Sequence, residues 1–207
     1  MNTKRTRPFL CLVMAVILLS LCACGRDGGG DGQKGGKDGE VLLPISFNGA
    51  EIRVGETTVQ ALLDEGLDVS WVDEEYNRIT VDPATQLEAN SYYTGASIRV
   101  TDNMFFLISF VTDEEEIPLG QAVIARLELS MVSEDDKSVL ETISFDGVPV
   151  TELTQAKAAE KYPDWTGNEV MWLHYGLDYK YDLNFDMSTG ILNKFSVDRT
   201  YDVDWNS

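Results

Sequence analysis

Thiols are the side chains here with the most obvious chemical use, and they are confined to one end of the chain. Cys11, Cys22 and Cys24 are the only cysteines among 207 residues. Whatever follows Cys24 has no thiol for a disulfide, a nucleophile or a thiolate metal site. His174 is the only imidazole. A Ser-His-Asp relay would have to use it, yet it sits between Leu173 and Tyr175 in a strand-like stretch, and no serine stands in a nucleophile motif. Neither H-E-x-x-H nor a P-loop occurs. The residues therefore nominate no catalytic group, no metal ligands and no cofactor, and the expectation is a protein that is not an enzyme.

Carboxylates are abundant, 35 acids against 16 bases for a net charge of −19. Glycoside hydrolysis needs only two carboxylates at a set separation, so candidates in such a number decide nothing. Asp178, Asp182 and Asp186 recur along one strand face. Calcium would suit oxygen ligands there, but a solvated face is the simpler reading. Aromatic rings gather in Tyr162, Trp165, Trp172, Tyr175, Tyr179 and Tyr181. Such rings stack on sugars or anchor a protein partner. Tyr179 and Tyr181 fall in an apolar register, whereas Trp165, in the loop Pro163–Gly167, has the best claim to exposure and is the candidate ligand-binding residue. The charge argues against nucleic acid as a partner.

The basic residues Lys4, Arg5 and Arg7 precede an apolar run, Phe9–Leu21, that is too short to span a bilayer, which takes about 20 residues. A basic flank, a short apolar stretch and a small residue before a break make a secretory signal. Its ending, Leu21-Cys22-Ala23-Cys24-Gly25, resembles the lipobox of bacterial lipoproteins, with Cys22 where Ala, Ser or Thr is more usual. The resemblance implies cleavage after Ala23 and a diacylglycerol thioether on Cys24. The implied partner is the lipid bilayer, on the extracytoplasmic face of the cell membrane. Two or three acyl chains, at about 0.8 kcal/mol per buried CH₂, anchor stably where one is marginal. Removing residues 1–23 leaves 13 basic against 35 acidic residues, a net of −22. An exported chain without disulfides favours a Gram-positive envelope.

Residues 24–40 read as the lipidated cysteine and a linker. Gly25–Gly39 holds eight glycines and no apolar residue, so it should remain a disordered tether with a reach of roughly 20 Å. From residue 41 the fold class reads as α+β: antiparallel sheets with short helices, in two related units, 41–132 and 133–207. Ile45-Ser46-Phe47-Asn48-Gly49 returns as Ile143-Ser144-Phe145-Asp146-Gly147. Asn-Gly and Asp-Gly are strong hairpin turns. A short helix follows each, Thr58–Glu65, with Thr57 as a plausible N-cap, and Thr154–Lys161. Met104–Val111 is almost continuously apolar and reads as a central strand covered on both faces. Ala122–Met131 alternates as a strand, and Ser133–Ser138 is a polar break. Strands over 169–174, 177–185 and 191–197 complete a helix-plus-meander unit.

That second unit resembles the helix-plus-antiparallel-sheet repeats of SmpA/OmlA-type lipoproteins and of the β-lactamase inhibitor protein. The matching features are the Thr154-capped helix ending at Tyr162-Pro163, the Trp172 strand, and the hairpin from Leu183-Phe185 to Gly190-Ile191-Leu192. The Gly-Met-Thr helix start of that family is absent. The resemblance implies a non-enzymatic binding or adaptor module for an unknown protein partner; the aromatic group and the abundant carboxylates keep a glycan-binding or glycan-hydrolysing surface module as the alternative.

Overall fold

Asn48-Gly49 and Asp146-Gly147 have φ values of 51° and 88°, and of 47° and 77°. Two successive left-handed residues make the tight turn whose twist suits a hairpin. The computed structural model describes residues 43–73, 75–130, 137–167, 170–175 and 178–206. The signal, Cys24 and the tether lie outside the described residues. The first turn joins β1 (Ile45–Phe47) to β2 (Ala50–Ile52), and helix α1 (Val59–Asp64) follows. Then come β3 (Val69–Val72), β4 (Arg78–Thr80), β5 (Gln86–Leu87), β6 (Ser91–Arg99), β7 (Phe105–Val111), β8 (Ile117–Pro118) and β9 (Val123–Ser130). The short helix α2 (Lys137–Leu140) leads to β10 (Ile143–Phe145), β11 (Val148–Pro149) and α3 (Gln155–Lys161). The chain closes with β12 (Val170–Tyr175), β13 (Tyr179–Phe185), β14 (Leu192–Arg199) and β15 (Asp204–Asn206). The fold is α+β, mostly antiparallel sheet with few short helices.

The halves repeat. Thr58 and Thr154 cap α1 and α3 with nearly identical backbones, and each hydroxyl accepts from the amide three residues on. Each threonine also bridges to a corresponding strand, Thr58 to Val123 at the start of β9 and Thr154 to Ile191 just before β14. The flanking bonds match as well: Val59 N to Ala122 O and Gln155 N to Gly190 O, Ile124 N to Thr57 O and Leu192 N to Leu153 O. In each unit a β-bulge shifts the register of one strand pair, β7 with β9 at Ser109/Phe110 and β13 with β14 at Asn184/Phe185. A five-letter coincidence would not carry all of these.

The units pair through self-complementary seams. In the small sheet, ordered β11-β10-β1-β2, Ser46 faces its own counterpart Ser144, and Ile45 and Phe47 face Phe145 and Ile143. In the nine-stranded sheet, ordered β12-β13-β14-β9-β7-β6-β3-β4 with β15 beside β6, the corresponding strands β14 and β9 lie antiparallel. Each side chain therefore has a place on one of two faces. The row Val69, Ile98, Phe106, Leu129, Phe195, Leu183, Met171 runs across seven strands and is wholly buried. It packs on the small sheet, with Phe47 5.5 Å from Phe106, and Phe145 5.8 Å from Phe195 and 5.9 Å from Tyr181. Each such buried ring contributes roughly 1.5–3 kcal/mol, so one core draws on both units.

Some expectations change. Thr58 caps α1, not Thr57, whose hydroxyl instead accepts from the Arg53 amide. The strand at 105–111 is covered on both faces only toward its end: Leu107 is 53% exposed, while Ser109 and Val111 on the same face are buried. Within the polar break at 133–138, Lys137 already begins α2. Among the described residues no helix is long and apolar enough to cross a membrane.

Candidate functional site

The second face of the large sheet is open and polar. Strand alternation puts Thr80, Ser70, Ser97, Leu107, Glu128, Ser196, Asp182 and Trp172 in one row across eight strands. The next row toward β15 holds Ser109, Arg126, Asp198, Lys180 and His174. After β14 the chain crosses this face as a strap. Tyr201 and Val203 pack with Tyr92, Val111, Val123 and Ala125, and β15 then runs parallel to β6, Trp205 opposite Tyr92. Beside the strap lies a cleft of about 640 Å³. Leu107, Ser97, Ser109, Arg126 and Glu128 are on its floor, Tyr92 and Tyr201 at the strap, and Val72 and Arg78 at the opposite end.

An ion ladder fixes the middle of this face. Lys194 Nζ is 2.5 Å from one oxygen of Glu128, and Arg126 donates to the other at 2.7 Å. Arg126 reaches across to Asp198 at 2.5 Å, and Lys180 donates to Asp182 at 2.8 Å. Burial works against the Glu128 charge, but Lys194 and Arg126 outweigh it and hold its carboxyl below the usual range. Arg126 is held protonated above its ordinary value: burial opposes its charge, and Glu128 and Asp198 overcome it. Asp198 moves the other way from Glu128. Its burial outweighs the attraction of Arg126, Asp182 adds repulsion, and its carboxyl lies above the ordinary value. Tyr92 and Tyr201 are pushed up by burial, against the Ser109 hydrogen bond and the Arg199 charge respectively.

Arg78 is held differently. Its guanidinium stacks 4.0 Å over the Phe105 ring and donates to the hydroxyls of Ser70, at 3.2 Å, and Ser97. Arg53, Arg99 and Arg126 each pair with a carboxylate. Among the described residues Arg78 pairs with none.

The residues singled out in the sequence end in different places. Trp165 is half-buried and packs against the core, so it is partly rather than fully exposed. Among the side chains whose exposure is described, the exposed indole is Trp172, at 42%, next to Asp182 in the polar row. Tyr179 and Tyr181 are core, and His174 is exposed beside Lys180. The three aspartates do not converge. Asp178 is exposed before β13, Asp182 is half-buried against Lys180, and Asp186 sits in the β13–β14 turn. Asp186 accepts from the hydroxyls and amides of Ser188 and Thr189 there, which hold its carboxyl down at about 2. Among the described residues no three His, Cys, Asp or Glu side chains form a metal-binding group. Sequence reasoning missed Arg78, Phe105 and the strap. Alternation within Arg78-Ile79-Thr80 hints that Arg78 and Thr80 share a face, but only the strand order brings Arg78 to Ser97. No family model, curated protein or solved structure matches this chain.

Proposed function

We propose that this chain is an extracytoplasmic lipoprotein, held at the membrane by acylated Cys24, that acts as a non-enzymatic binding or adaptor module. The polar face of the nine-stranded sheet is its working surface. The observation that supports this most is the ladder Lys194–Glu128–Arg126–Asp198 beside an open cleft. Charged side chains on a solvent face ordinarily keep their rotamer freedom and gain little from pairing. Here they are pre-ordered around a concavity, which lowers the entropic cost of binding and sets charge complementarity. The tether would let that surface search the space above the bilayer.

The binding reading is tested by placing a photo-crosslinking side chain at position 107 of the membrane-held chain, with a control at Gln60 on α1. A discrete adduct from 107, absent from 60, is expected; equal labelling from both removes the face as the working surface. The anchor is tested by feeding an alkyne fatty acid. Label that persists in Cys24→Ala refutes the acceptor. One observation favours the glycan alternative, the half-exposed Trp172 beside Asp182. Sugar binding on a glycan array that Trp172→Ala abolishes would replace the adaptor reading.

A further inference from the structure

The charges on the polar face do not balance at the Arg78 end of the cleft. Along the ladder each cation has its acid: Lys194 and Arg126 with Glu128, Arg126 with Asp198, Lys180 with Asp182. In a chain with 35 acids and 16 bases, a described arginine that meets only neutral groups stands out. Arg78 is also aimed. The Phe105 ring lies under the guanidinium, and Ser70 and Ser97 hold one of its nitrogens, Nη1. A guanidinium presents five donors in a rigid fork, and among the described residues Nε and Nη2 of Arg78 have no hydrogen-bond partner, which leaves them to an anion in the cleft. Beside it lies apolar surface: the half-buried Val72 and Leu107, which is 53% exposed though it sits mid-strand.

We propose, resting on the binding reading above, that the cleft takes a small organic monocarboxylate. Its carboxylate is gripped by Arg78 and its apolar body lies on Leu107 and Val72. A carboxylate matches the guanidinium fork with two parallel hydrogen bonds. A single charge is required because the far wall of the cleft carries Glu128 and Asp198. A dianionic phosphate would bring a second negative charge toward them with only one unpaired guanidinium to meet it. Arg126 cannot serve the ligand in the same way, since two carboxylates already occupy it.

The test uses the full lipidated chain in nanodiscs and two probes, N-acetyl-leucine and its uncharged amide. Saturation-transfer NMR and calorimetry should show the acid binding at least tenfold more tightly than the amide, and weakening as salt rises. Arg78→Gln should reduce binding of the acid at least tenfold and leave binding of the amide unchanged. Lys157→Gln, on α3 and paired with Glu152 away from this face, should change neither. Equal binding of acid and amide by the unaltered chain overturns the proposal, whether or not Arg78→Gln folds. So does undiminished acid binding in a folded Arg78→Gln protein. If position 107 crosslinks a partner while the acid does not bind, the ligand class is wrong and the binding face survives. If both fail, the face fails with it.

Discussion

Gly55 shows how much can rest on one missing methyl group. Its φ is +91°, a conformation that costs an L residue roughly 1–2 kcal/mol. A Cβ there would stand 2.2 Å from the Tyr179 hydroxyl and 3.0 Å from Arg199. Its own carbonyl accepts from Arg199 at 3.2 Å, and its amide donates to Ile124 at 2.7 Å. The first unit therefore meets the second with no space for a side chain. Gly55→Ala should destabilise by about 2–4 kcal/mol, strain and overpacking together, read as a lower urea midpoint. Gly49→Ala, where a Cβ would meet nothing, should cost only the backbone strain. Asp186 gives a residue-scale pH dependence. The Ser188 hydroxyl bond, with the Thr189 and Ser188 amides, holds its carboxyl at about 2, below the ordinary 3.8. A depressed carboxyl adds stability that is complete above the unfolded value and disappears as pH falls through the folded one. Asp186→Asn should thus flatten the stability curve between pH 4 and 2 and leave its slope near neutrality unchanged. A carboxyl resonance of Asp186 titrating near 4 would contradict this.

At the scale of the element, α1 and α3 have six and seven residues, too short to persist by propensity. They depend on the threonine caps and on one buried face: Val59 and Leu62 in α1, Ala158 in α3. Thr154→Ala should cost about 1 kcal/mol, and more than the same change at the exposed Thr189. Double-mutant cycles pairing Thr154 with Ile191 should show coupling, because the cap also bridges the residue that leads into β14. These elements were the legible part of the chain. Asn48-Gly49, the alternation in 179–185 and the Thr-capped helices are local signals, set by steric rules that act within a few residues. The error at Thr57 is of the same kind: two adjacent threonines can each cap, and only the bridge from Thr58 to Val123 separates them. Leu107 was misread because a continuous apolar run looks the same whether or not its second face is covered. The face is left open by the strand order, which no local window contains. Arg78 and β15 were hidden for the same reason. The register of β3 on β6, and the return of the C-terminus past β14, β9 and β7 to β6, are long-range choices.

Taken whole, the molecule is built like a dimer joined in one chain. Its two seams, β1 with β10 and β9 with β14, have the self-complementary form of an isologous interface. The halves nonetheless share what an isolated domain would need for itself. Phe106 of the first unit packs on Phe195 of the second at 6.3 Å, and Leu129 faces Phe195 across the seam. Cut at the unit boundary, residues 41–132 would expose Leu127, Leu129, Phe47 and Ile45, all now buried, and would leave two unpaired strand edges. Unpaired edges with apolar neighbours recruit other chains. A fragment of 41–132 alone should therefore be unfolded or self-associating, and so should 133–207. Mixed, the two should recover a dispersed amide spectrum like that of the intact chain, because every seam contact is present once both are. The cleft gives the control: Arg78 and Leu107 lie in the first fragment, Asp198 and Tyr201 in the second. If 41–132 alone gives a monomeric, dispersed spectrum and a cooperative melt, the seams are contacts between finished domains. If it gains structure only with its partner, the seams belong to one folding unit, and the polar face with its cleft exists only in the joined chain.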